Sequence, residues 1–330
     1  MHHLPLPLRS LIGCLLTGIV MLTGACAPVH HQSRDDAALF IPPLPTGSPS
    51  ANVPAFLVEN GKQPYNRIGT PRAVDGHTGG DPEIIVDPAS ATTYHQRTAF
   101  STARGSYTNE VFRIHFREVP LGWDTINLTG GKNPGLLVIY TLNQEAEPVL
   151  ITTVHTCGCY LAFLPTTALP QEAYPADWPE QNQWIYGYTL PSRLPELGED
   201  ERYLFTLADQ THRVSGVEPH QLDGSLPVAE RIATALAPLN SLYQLPYHSQ
   251  TVSFFETDGP RAGYVKSNCK PLERILLGWL ALDFRVGEDK AYLGGDTSTV
   301  PLYTSLKFWA RQESDLKDFP RFLAYWGWKL

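Results

Sequence analysis

The chain of 330 residues carries 25 Lys and Arg against 33 Asp and Glu, a formal net charge of −8. Mild acidity without a Lys/Arg cluster excludes the electrostatic footprint of a protein whose partner is nucleic acid. Twenty-nine prolines and 26 glycines cut the sequence into short elements. This predicts a β-rich α+β fold, with a few short helices mainly in the C-terminal third, rather than a helix bundle.

Residues 1–25 hold one charged side chain, Arg9, followed by an apolar run from Leu11 to Leu22. The run is shorter than the ~20 apolar residues that span a bilayer. A basic start, a short apolar middle and small residues before a break read as a secretory signal. The break is Leu22-Thr23-Gly24-Ala25-Cys26, which resembles the lipobox of bacterial lipoproteins. The resemblance covers residues 1–26. It implies that Cys26 is acylated and becomes the new N-terminus, anchoring the chain to a membrane. Ala27, in the position after that cysteine, implies sorting to the outer membrane, facing the periplasm. Loss of Arg9 with the signal leaves −8 − 1 = −9 on the mature chain. Residues 26–54, rich in Pro, Ser, His and Ala without periodic pattern, predict a flexible tether. Residues 55–330 then form one globular α+β domain.

Within that domain, Gln63 to Pro88 reads as loop. Its Asp75, His77, Asp81 and Glu83 fit a solvated turn better than a cation loop. Tyr107 to Val119 is the clearest strand. Phe112, Ile114 and Phe116 share one face, and Arg113, His115 and Arg117 share a second that reads as wet. The apolar runs Leu136–Leu142 and Val149–Leu164 flank a turn and predict a central hairpin buried on both faces. Ala168 to Pro195 is a long ordered loop or a set of short strands, and Arg202–Val214 and Thr251–Thr257 add strands. Val228, Ile232 and Leu236, between Pro227 and Pro238, predict a short helix. After Cys269, the spacing of Leu272, Ile275, Leu276, Trp279 and Leu280 predicts a better helix, with Pro271 at its first position. Ser305–Leu330 reads as one or two short amphipathic helices, the second capped by Ser314 and stopped by Gly327. Its aromatic residues read as packing groups.

The candidate chemistry lies in the second strand of the hairpin, at His155-Thr156-Cys157-Gly158-Cys159. In a strand, His155, Cys157 and Cys159 point to one face. Cys269 sits at a predicted helix N-terminus between Lys266 and Lys270, where a thiolate is stabilised. Three readings stand. His155, Cys157, Cys159 and Cys269 form a tetrahedral zinc site, or three of them a copper(I) site. Alternatively, Cys269 pairs in a disulfide with Cys157 or Cys159, as suits an exported protein. A Cys157–Cys159 disulfide is disfavoured in a strand, where two residues span ~6.6–7 Å, and needs Gly158 to make a turn. In the third reading one cysteine is a nucleophile or redox centre with His155 as base or orienter. Separately, Tyr174, Trp178, Trp184, Tyr186 and Tyr188 have the composition of a glycan-stacking surface. No Gly-x-Ser-x-Gly elbow, His-Glu-x-x-His helix or Cys-x-x-Cys-His motif is present. The sequence therefore points to a lipid-anchored, non-enzymatic envelope protein with a soft-metal or structural sulfur site. A thiol-dependent envelope enzyme and a glycan-binding protein are the alternatives.

Overall fold

A computed structural model describes residues 34–49, 52–76, 81–121, 127–222, 226–292 and 300–330. The signal, the lipobox with Cys26, and His77 lie outside these. A five-stranded sheet runs in the order β15 (Val214–Gln221), β14 (Glu201–Leu207), β2 (Ala55–Val58), β1 (Ala38–Ile41) and β16 (Glu230–Ala233). An eight-stranded sheet has the path β11 (Ala162–Pro165), β10 (Pro148–His155), β9 (Gly135–Leu142), β6 (Gly105–Phe116), β3 (Ile68–Val74) and β4 (Glu83–Asp87). In that sheet β5 (Thr92–Thr102) also pairs with β6, and β17 (Ala235–Pro238) pairs with β5. Three ribbons complete the strands: β7 (Glu118–Val119) with β8 (Gly131–Lys132), β12 (Asn182–Ile185) with β13 (Tyr188–Pro191), and β18 (Leu245–Tyr247) with β19 (Gln250–Val252). Among the described residues the α-helices are α1 (Pro271–Ala281) and α2 (Phe319–Tyr325). Among the described residues the fold is dominated by sheet, and both α-helices lie near the C-terminus, so β-rich α+β describes it.

The predicted hairpin is β9 and β10, with Leu136 opposite His155 and Tyr140 opposite Ile151. Its continuous apolar run follows from burial on both faces. Leu136, Val138 and Tyr140 enter a core shared with Phe40, Phe56 and Phe205 of the smaller sheet. Leu137 and Ile139 enter a second core closed by C-terminal residues such as Phe254, Leu302 and Phe322. The larger sheet is thus the middle layer, and the chain beyond Pro238 is its outer cover. That cover corrects the wet face expected on β6. Arg113 and His115 are fully buried beneath Phe254 and Phe255, and only Arg117 is exposed. The Arg113 Nε donates to His115 Nε2 over 2.8 Å. Burial, then the Arg113 charge, hold the imidazole well below its ordinary pKa, so it stays neutral and can accept.

Other expectations also change. The stretch expected as tether contains β1, whose Ala38, Leu39 and Phe40 are buried. The expected loop Gln63–Pro88 carries β3 and β4. The segment Val228–Leu236 forms β16 and β17 instead of a helix. β16 pairs in parallel with β1, and after Thr234 β17 pairs in parallel with β5. One segment therefore covers an edge of each sheet, and that pairing outweighs its helical spacing. α2 is capped by the Asp318 side chain, which accepts from Arg321 N, not by Ser314. Gly327, at φ +87°, follows its end. α1 forms as predicted with Pro271 in its first turn, but inverted. Glu273, Gly278 and Ala281 face inward, while Ile275, Leu276, Trp279 and Leu280 are exposed.

Phe40→Ala provides a check on the N-terminal boundary. Loss of a buried aromatic ring costs about 3–5 kcal/mol, to be read by denaturant unfolding of the purified chain. A tether residue would leave the midpoint unchanged.

Candidate functional site

β10 stops at His155 because the chain folds back. The His155 N–H donates to Cys159 O over 2.9 Å, and the Gly158 N–H donates to His155 O over 2.8 Å. Gly158 has φ +93°, and a Cβ there would stand 1.9 Å from Tyr303 O. Both the backbone sign and the close approach therefore require glycine. Cys157 and Cys159 sit on this turn rather than alternating along a strand. Both are free thiols, Cys157 buried and Cys159 half-buried. The Cys159 backbone N–H donates to Cys157 Sγ over 3.4 Å, and Cys159 Sγ donates to Glu273 Oε1 over 3.8 Å.

Glu273 reaches the turn from the first turn of α1. Its Oε2 is buried without a hydrogen-bond partner. It lies against Gly287, where a Cβ would be 1.8 Å away. Beneath the turn, Lys270 Nζ meets Asp289 Oδ2 at 3.0 Å, both side chains buried. Asp289 also accepts from Thr156 Oγ1, from Asn268 Nδ2 at 2.8 Å and from Gly135 N at 3.3 Å. The adjacent Lys290 is buried too. Its Nζ donates to Glu288 O and Cys157 O at 3.1 and 3.4 Å and lies over the Tyr303 ring, 4.8 Å from its centroid.

These surroundings separate the two thiols. Burial pushes the Cys157 thiol up, but the hydrogen bond from Cys159 and the Lys270 charge outweigh it, and its pKa is lowered. Cys159 is raised well above the ordinary value by its hydrogen bond to Cys157 and by burial. Of the two, the inner sulfur is therefore the more acidic. Burial raises Glu273 above the usual carboxylate range against the pull of Lys270. Burial opposes the Lys270 ammonium, yet Asp289 prevails and raises it. Lys290 has no such close carboxylate, and burial lowers it.

The remaining candidates separate from this pair. The His155 Nε2–H donates to His212 O over 3.1 Å. Burial, then Lys270, bring its pKa down to about 4. The ring is neutral near pH 7 and packs against Tyr160. Cys269 is exposed. Among the described residues no group of three or more His, Cys, Asp or Glu side chains stands together to hold a metal ion. The structure thus joins Cys157 with Cys159 and does not gather His155 and Cys269 around them. The aromatic residues divide as well. Tyr174 and Trp178 pack on Trp328, Trp184 is exposed on the β12–β13 ribbon, and Tyr186 abuts Tyr160 beside the thiols. Asp75 is held by Tyr247 and His248, and Glu83 by Lys132.

Sequence reasoning missed Glu273, Asp289 and Lys290, and gave Lys270 only an electrostatic role beside Cys269. Glu273 carried one signal: an acidic residue in the first turn of a helix next to a cysteine. Comparison with protein-family models, characterised proteins and solved structures finds no match. Among the described residues no helix is long and apolar enough to cross a membrane.

Two alanine substitutions isolate the demand at the turn. Gly187 also has positive φ, +95°, but nothing lies within 4 Å of its Cβ position. Gly187→Ala should cost only the ~1–2 kcal/mol of a left-handed non-glycine residue. Gly158→Ala should cost clearly more, because Tyr303 must also move. Equal losses on urea unfolding would mean that the turn is not packed as described.

Proposed function

We propose that the chain is a lipid-anchored protein of the bacterial envelope whose Cys157-Gly158-Cys159 turn is a redox dithiol that donates its disulfide to a dithiol substrate. The observation that carries this reading is the separation of roles within one turn. Two free thiols share the turn: the inner one is buried and accepts from the Cys159 N–H, and the outer one is half-buried and donates to the Glu273 carboxyl group, with the inner pKa lowered and the outer raised.

The steps balance as follows. Exchange with a second disulfide, whose two sulfurs leave as thiols, takes the two electrons of the pair and joins Cys157 and Cys159 across the turn. A substrate thiolate attacks Cys159 Sγ, forming a mixed disulfide, and Cys157 leaves as the thiolate. Its low pKa makes it the better leaving group, and Lys270 and the Cys159 N–H receive its charge. The second substrate thiol gives its proton to Glu273 and attacks the substrate sulfur of the mixed disulfide. Cys159 departs and recovers that proton from Glu273. The substrate leaves with a disulfide, and the protein holds the reduced pair. An outer sulfur of raised pKa favours this last protonation.

A disulfide closed across one intervening residue is a strained ring, and strained, accessible disulfides are the labile, oxidising ones. The envelope reading suits such a donor, since disulfides form and persist outside the cytoplasm. His155 takes no part as base in this mechanism.

The test is a single turnover. Mature protein oxidised at Cys157–Cys159 is mixed with a reduced peptide bearing two cysteines, and peptide disulfide is followed. Cys269→Ser should leave the rate unchanged. Cys157→Ser and Cys159→Ser should each abolish transfer, and Glu273→Gln should slow it by ~10². Failure of the pair to oxidise would overturn the proposal, as would thiols inert to disulfides in protein carrying stoichiometric zinc or copper. In the same preparation, Cys26→Ser should release the chain from membranes, and retention would refute the anchor.

A further inference from the structure

Among the described residues nothing covers the apolar face of α1. Ile275 and Trp279 are 70% and 67% exposed, and Leu276 and Leu280 continue the same stripe. Past the helix, Phe284 is 74% exposed. The 3₁₀ turn Phe308–Ala310 adds Trp309, 67% exposed. Arg311 ties that turn to the helix, because its Nη2 donates to Ala281 O. The two apolar segments thus adjoin.

The exposed charged side chains of α1 and of the Trp309 turn are basic. Arg274 and Lys307 are exposed, and Arg285 and Arg311 are half-buried. The acidic residues of the same segment are turned away or engaged: Glu273 is buried, and Asp283 accepts from Tyr303 OH at 2.7 Å. A basic rim around exposed tryptophan and aliphatic side chains stands out on a chain whose formal charge is −8. Tryptophan favours the boundary between water and lipid, with its ring apolar and its N–H wet. Lys and Arg are drawn to anionic headgroups.

We infer that this face of α1, with the Trp309 turn, is a membrane-contact surface that lies in the headgroup layer of an anionic phospholipid bilayer. Seven residues (27–33) lie between Cys26 and Arg34, the first described residue, so over eight Cα–Cα steps an acylated Cys26 would hold Arg34 within about 29 Å of the bilayer. Because Glu273 lies on the inward face of the same helix, the contact would set the dithiol turn at a fixed side of the anchored body. The inference goes beyond the dithiol proposal and shares with it only the envelope address.

The experiment uses the mature chain, residues 26–330, with Cys26→Ser so that no acyl chain contributes. Sedimentation with vesicles of phosphatidylglycerol and phosphatidylcholine should bring down the protein. Pure phosphatidylcholine should bind at least tenfold more weakly. The double variant Ile275→Ser, Trp279→Ser should lose binding at least tenfold, with its melting temperature and Cys159 alkylation unchanged. Arg274→Glu with Lys307→Glu should abolish the preference for anionic vesicles. Absence of vesicle binding, or binding indifferent to the serine pair, would overturn the inference. So would a dimer in sedimentation velocity that the serine pair dissolves, since the face would then belong to a second copy. None of these outcomes depends on disulfide transfer.

Discussion

The buried ion pair between Lys270 and Asp289 is the constraint around which the candidate site is built. Two charges out of water are tolerated only when geometry and further hydrogen bonds offset their desolvation. Asp289 meets this condition with Thr156, Asn268 and the Gly135 N–H in addition to Lys270. Those partners come from the β10 turn, from the residues leading into α1 and from the start of β9. One carboxylate therefore joins the thiol turn, the helix N-terminus and the central hairpin. The same pair keeps Lys270 charged beside Cys157, which lowers the inner thiol. Packing and thiol acidity thus share a cause: the ammonium that Asp289 retains in the interior also lowers the inner thiol.

Asp289 also fixes the sign of a pH effect. Although burial opposes ionisation, Lys270 and Thr156 hold its pKa below the usual carboxylate range. The stability it contributes is present above the unfolded-state carboxylate pKa and is lost as pH falls through the lower native value. Glu273 works in the opposite sense. Its native pKa is raised, so the folded state favours the protonated acid. That preference stabilises the fold at low pH and is lost as pH rises through the native value.

The hairpin was legible because burial on both faces leaves a continuous apolar run, and α1 because Pro271 and the apolar spacing mark it. Its orientation was not legible. The spacing of Ile275, Leu276, Trp279 and Leu280 is that of a core-facing stripe, yet the helix turns Glu273 inward to the thiols and leaves the stripe outside. Arg113 and His115 looked like a wet face because the chain beyond Pro238, which covers them, is remote in sequence. The same remoteness hid Asp289 and Lys290. Cys157 and Cys159 were found, and Gly158 was recognised as the residue that decides between strand and turn. Cys269 was assigned to them by shared chemistry, but its neighbour Lys270 is the residue that enters the site.

The most direct test of the central claim is the equilibrium of the Cys157–Cys159 pair in glutathione redox buffers, quantified by mass spectrometry of the peptide that contains both. The account predicts reversible oxidation and reduction with a potential above about −300 mV, the region of labile disulfides. A bond that resists reduction below that value would make the pair a structural brace. Two thiols that never join would remove the redox reading altogether.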